Sequence, residues 1–139
     1  IMASDQLENS IITRLIDGNG YLMSPDATYY VSLHTADPGD TGTNELPSTN
    51  GYARKSYTTS GGWNAASGGS TSNNGSITFA AASGGDWATA THFGVWNDSA
   101  GTSVNFMLGG ALTSSVTCTD GDAVQFLGGT PGALVITCT

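Results

Sequence analysis

The chain has 139 residues, enough for one domain that buries about two-thirds of its unfolded surface. Eleven acidic against three basic side chains give a net charge of −8, which excludes nucleic acid and anionic membrane as direct partners, because both need clustered Lys and Arg. No apolar run is long enough to span a bilayer, no secretory leader is expected, and 38% hydrophobic residues with dispersed aromatics argue against disorder.

Only 10% of the residues are charged, so Gly, Ser, Thr, Asn and Ala fill the surface. A neutral, hydroxyl-rich exterior suits contact with other subunits.

The chain opens with one readable helix. Leu7, Ile11 and Leu15, with Ile12 and Ile16, recur at the spacing of an amphipathic stripe. Ser4 or Asp5 serves as N-cap, Asp5 and Glu8 have the spacing of a capping pair, and Gly18 or Gly20 supplies a left-handed stop. Gln6, Glu8, Asn9, Thr13 and Asp17 make the opposite side wet. The apolar stripe must cover something, and a neighbouring subunit is favoured over the chain's own sheet. Residues 1–20 are therefore read as an assembly arm, and residues 21–139 as one β-domain.

After residue 20 the pattern is strands and turns. Candidate strands are 27–34, 52–59, 76–81, 90–97, 103–112, 113–119, 122–127 and 133–139, separated by Gly, Pro, Asn and Asp clusters. Such spacing predicts a mainly β fold, a single antiparallel β-sandwich, jelly-roll-like, with one N-terminal α-helix. In the first strand Tyr29, Val31 and Leu33 face inward, while Tyr30, Ser32 and His34 form a mixed face. Two long linkers interrupt the pattern. One is 37–51; the other is 60–75, Gly- and Ser-rich yet holding Trp63. Loops of this length usually carry function or are ordered by a partner, which predicts a homo-oligomer, with a trimer as the favoured count.

His34 and His92 are the only histidines. No Gly-x-Ser-x-Gly elbow is present, so His34 is expected to end a strand and bond the following turn, and His92 to open another strand. No catalytic residue and no cofactor is expected. Asp37, Asp40, Asn44 and Glu45 crowd one loop, but not at the alternate positions of a calcium loop; Asx-type turns are expected there and no metal. Cys118 and Cys138 close two similar segments, Val116-Thr117-Cys118-Thr119 and Ile136-Thr137-Cys138-Thr139, so a disulfide forms only if these strands are neighbours in register; zinc would need two further ligands. Trp96 reads as core and Trp87 as a cap over the sandwich. Trp63 is the aromatic left for a partner, either another subunit or a sugar.

Several blocks resemble, in order and spacing, a family of small tailed-bacteriophage virion proteins, labelled tail fibre or virion structural proteins. They are Tyr30-Val31-Ser32-Leu33-His34-Thr35-Ala36-Asp37-Pro38, Gly51-Tyr52-Ala53-Arg54, Ile77-Thr78-Phe79, Trp87, Thr91-His92-Phe93-Gly94-Val95-Trp96-Asn97, Gly109-Gly110-Ala111-Leu112 and Gly121-Asp122. The resemblance covers residues 22–139. The Lys55–Thr59 stretch, leading into the Gly-rich loop, departs from the family's pattern. It implies a non-enzymatic virion component made in the bacterial cytoplasm, where two free thiols are the default. The expected role is a multi-copy surface subunit, decorating the head or associated with the tail, with copies of itself and capsid or tail proteins as partners. The alternative is a lectin-like receptor-binding module of a tail fibre that takes a host glycan. Candidate assembly residues are Leu7, Ile11, Leu15, Ile16 and Trp63.

Overall fold

The computed structural model describes residues 2–13, 16, 28–58, 62–128 and 135–137. In chain order the elements are β1 (Met2–Ala3), α1 (Asp5–Ile12), β2 (Thr28–His34), β3 (Lys55–Thr58), β4 (Ser70–Ser72), β5 (Ile77–Thr78), β6 (Trp87–Trp96), β7 (Phe106–Cys118), β8 (Gln125–Phe126) and β9 (Val135–Thr137). The main sheet runs β1-β7-β6-β2-β3 with all neighbours antiparallel. Two short ribbons, β4 with β9 and β5 with β8, complete the strands. The protein is thus mainly antiparallel β with one N-terminal helix, and it is sandwich-like because side chains from the ribbons pack onto one face of the main sheet.

Alternation along β2 decides which side chain meets which layer. Val31 and Leu33 stand opposite Val95 and Phe93 of β6, and all four join Ile77, Phe79, Trp87, Val124 and Phe126 in the apolar core. The other face is also covered. Ser32 and His34 are fully buried there with Trp96 and Phe106, because residues 35–46 fold back across them. That loop is tied by Thr35 N–H to Asn44 O at 2.9 Å, Thr43 N–H to Pro38 O at 2.9 Å and Leu46 N–H to Leu33 O at 2.9 Å. Asp37 Oδ1 accepts the Gly39 N–H at 2.9 Å, the Asx-type turn expected at this aspartate.

Some boundaries differ from the sequence reading. β6 begins at Trp87, so His92 lies within a strand instead of opening one. The expected strands 103–112 and 113–119 are one strand of 13 residues. Its alternation fails near Leu112–Ser115 because β7 carries extra residues against β6: His92 pairs with Ala111 and Ala90 with Val116, with register shifts in this stretch. A strand, β4, lies inside the linker read as 60–75. Of the two N-cap candidates Ser4 is used, its Oγ accepting the Leu7 N–H at 3.2 Å. Gly18 and Gly20 lie outside the described residues.

Candidate assembly surface

Ser32 Oγ and His34 Nε2 stand 2.7 Å apart, a spacing at which a histidine can activate a serine. The surroundings rule that role out. Both residues have 0% exposure, so no substrate reaches them. The Trp96 indole N–H donates to the same Ser32 Oγ at 2.7 Å. His34 Nδ1 lies 2.7 Å from the Thr43 carbonyl, which can only accept, so Nδ1 carries the proton and Nε2 accepts from Ser32. The chain Trp96–Ser32–His34–Thr43 uses both ring nitrogens. Burial holds the His34 imidazole below its ordinary pKa, with the bond to Thr43 opposing that shift.

The same knot gathers residues far apart in sequence. Trp96 stacks against His34 at 6.4 Å between centroids and meets Phe106 edge-on at 4.8 Å. Arg54 Cζ lies 3.4 Å from the Trp96 ring centroid. The Arg54 fork grips Glu45, with Nη2 to Oε2 at 2.8 Å and Nε to Oε1 at 3.0 Å, while Nη1 donates to Asp98 O and Gly101 O. Tyr52 Oη accepts the Leu33 N–H at 2.9 Å and donates to Glu45 Oε1 at 3.2 Å. Gly94 is required here: a Cβ would stand 2.7 Å from both Ser32 Oγ and His34 Nε2. Among the described residues no buried side-chain N or O lacks a partner, and no three His, Cys, Asp or Glu side chains converge as a metal site.

The arm is built differently. Met2 and Ala3 pair with Gly109 and Leu108, extending the edge of β7. Ser4, fully buried, donates its N–H to Met107 O at 3.0 Å and its hydroxyl to Phe106 O at 2.7 Å. This seat fixes where α1 starts, yet α1 buries none of its residues. Leu7 is half-buried, whereas Ile11 is 37% exposed, Ile12 58% and Ile16 79%. Beneath Leu7 the apolar face of the main sheet ends in a cleft of about 310 Å³ lined by Leu7, Tyr29, Trp63, Val95, Leu108 and Ile136. An uncovered apolar stripe thus stands beside an unfilled apolar cleft.

Residues 2–134 match the family described as podophage GP4 fiber I protein gp80. The chain belongs to this family. Membership gives it a tail-associated structural role in a phage particle. No curated protein matches the chain.

In this gp80-family chain the blocks singled out in the sequence supply the knot: His34, Arg54, Gly94 and Trp96 all converge there. Sequence reasoning found the bond from His34 to its turn but not the Arg54–Glu45–Trp96 group, because Trp96 lies more than forty residues from the other two. Of the assembly candidates, Leu7, Ile11, Ile16 and Trp63 lie on the arm or line the cleft, while Leu15 lies outside the described residues. Trp63 is not an open platform: it packs edge-on against Tyr57 at 5.6 Å and bridges to Asn73. Cys118 is buried and donates to Asp122 O at 3.2 Å; Cys138 lies outside the described residues.

Proposed function

We propose that this gp80-family chain is a multi-copy, non-enzymatic structural subunit of a phage tail fibre, joined to copies of itself and to other tail proteins through its N-terminal arm. In this reading residues 1–20 are the assembly arm and 21–139 the domain it serves. The observation that carries it is the exposed Ile11, Ile12 and Ile16 stripe beside the apolar cleft. Burying each such side chain fully is worth about 1.5–3 kcal/mol, so a monomer leaves a substantial association energy unused. The family supports a fibre over a head-decoration role. A lectin-like reading loses its main support with Trp63, whose ring is engaged by Tyr57.

Counting copies per virion by quantitative mass spectrometry tests the proposal. A few copies for each tail appendage fit a fibre subunit. Hundreds of copies spread over the head would sink it.

A further inference from the structure

We propose that the β1–α1 arm is exchanged between copies: in the assembled fibre, residues 2–12 of one chain occupy the β7 edge of a neighbouring copy. The inference rests on the fibre-subunit reading and names the partner of its assembly site, a second copy of this chain.

Three observations support it. First, the seat and its occupant are both visible. β7 takes Met2 and Ala3 as an added antiparallel strand, and Ser4 closes the seat with two hydrogen bonds to the Phe106 and Met107 carbonyls. Those bonds and the helix contacts are made to β7 and to the cleft, and they are the same whichever copy supplies the arm. Second, the tether permits it. Only residues 17–27 connect the last described arm residue to β2, and eleven residues can reach at most about 35–40 Å, comparable to the width of a small domain. Third, the seat is uncharged: no residue of β7 carries a charge, and the arm's two acidic residues, Asp5 and Glu8, lie on α1, outside the Met2–Ser4 stretch that pairs with it.

An exchanged arm retains every contact of a closed one, so the difference between the forms lies in what surrounds them. Docked within its own chain, α1 leaves Ile11, Ile12 and Ile16 facing water. Held between two copies, the stripe gains a second surface to cover it. Closing the arm onto its own domain has only the advantage of a short tether, equivalent to roughly millimolar local concentration. Side-by-side copies in a fibre match that concentration. Exchange of an identical element is a low-cost route to oligomers.

The pairing geometry gives a direct test. Ser4 and Met107 are a hydrogen-bonded pair, which makes Ala3 opposite Leu108 the closer, non-hydrogen-bonded kind, and such pairs fall within disulfide reach. Full-length A3C and L108C, carrying different tags, are co-expressed, assembled and oxidised. Arm exchange yields a disulfide-linked A3C–L108C heterodimer on a non-reducing gel, above the background set by wild-type Cys118 and Cys138, and neither variant alone yields it. The double variant A3C/L108C then runs as covalent oligomers. A double variant that forms its bond entirely within monomers, together with no heterodimer from the mixed singles, overturns the exchange. Where cysteine at 108 perturbs folding, the unmodified chain decides: ¹³C-labelled and unlabelled copies are co-assembled, and an isotope-filtered contact between Ala3 Hα and Leu108 Hα appears only across chains. Its absence, with the same contact seen within chains, overturns the exchange. An oligomer with intrachain arms keeps the fibre-subunit reading and removes the exchange, whereas a protein that stays monomeric at roughly millimolar concentration removes both.

Discussion

The loop-covered face of the main sheet and the arm-covered face are held by opposite means. Under residues 35–46, Trp96 meets both His34 and Arg54, and hydrogen bonds run unbroken from the indole to the Thr43 carbonyl. Every donor there has a defined acceptor, so only one arrangement satisfies it. Under the arm, beyond the β1 pairing and the Ser4 bonds, the contacts are apolar, the helix buries none of its residues and a cleft remains. A satisfied polar knot rigidifies a domain, whereas an unfinished apolar face invites association. On the proposed function, the difference separates the residues that make the domain from those that join it to another subunit.

The largest effect is expected from Trp96→Ala. The variant removes the ring that meets His34 and Arg54, deprives Ser32 Oγ of its indole donor and opens a cavity beside Phe106, at a cost of about 3–5 kcal/mol. Denaturant unfolding followed by circular dichroism should show a large drop in midpoint, and a change below about 1 kcal/mol would mean that the knot is not what holds this face.

Next comes Gly94→Ala, whose added methyl would press on Ser32 Oγ and His34 Nε2. A loss of about 1–3 kcal/mol is expected from overpacking. A neutral or stabilising result in the same unfolding assay would show that the knot has room to shift.

Acidity should strain the same region. His34 is held neutral by burial, so its folded pKa lies below its unfolded value of about 6.5. The contribution is complete above that unfolded value. As pH falls below it the unfolded chain takes up a proton that the native knot refuses, and stability drops by at most about 1.4 kcal/mol per pH unit until the lowered folded pKa is reached. Glu45, Arg54 and His92 are the charged or titratable neighbours that tune this step. Between about pH 7 and 5, His34→Gln should show a shallower decline than the parent chain. Parallel curves would remove His34 as the acid-sensitive group.

The smallest effect on the domain, and the largest on assembly, is expected from Ile16→Asp. The position is 79% exposed, so monomer stability should change by no more than about 0.5 kcal/mol. Light scattering should nonetheless show loss of oligomeric mass. Unchanged mass would mean that the stripe is not part of the interface.

Local pattern made much of this protein legible. The Leu7–Ile16 spacing located the helix, and alternation in Tyr29–His34 and Thr91–Trp96 located two of the main sheet's five strands. β1 falls in the segment read as the arm, and β4 in the Gly- and Ser-rich linker, where no apolar alternation marks a strand, so both escaped it. The Thr113-Ser114-Ser115 run suggested a break where β7 is continuous but irregular against β6. Burial of Ser32 and His34 was also hidden, because the loop that covers them follows the strand and its packing depends on Trp96 and Arg54 far along the chain. The apolar stripe of α1 showed that the helix must cover something; the pattern carries no record of which chain supplies the surface.

Cys118 offers a clock built into the strand. Its thiol is buried at the end of β7, donates to the Asp122 carbonyl and is pushed up in pKa by that burial, so a maleimide reagent reacts only when this end of the sheet lifts. The rate at which a peptide containing Cys118 becomes alkylated, read by mass spectrometry on intact particles, therefore measures how often the subunit opens while still mounted on the virus.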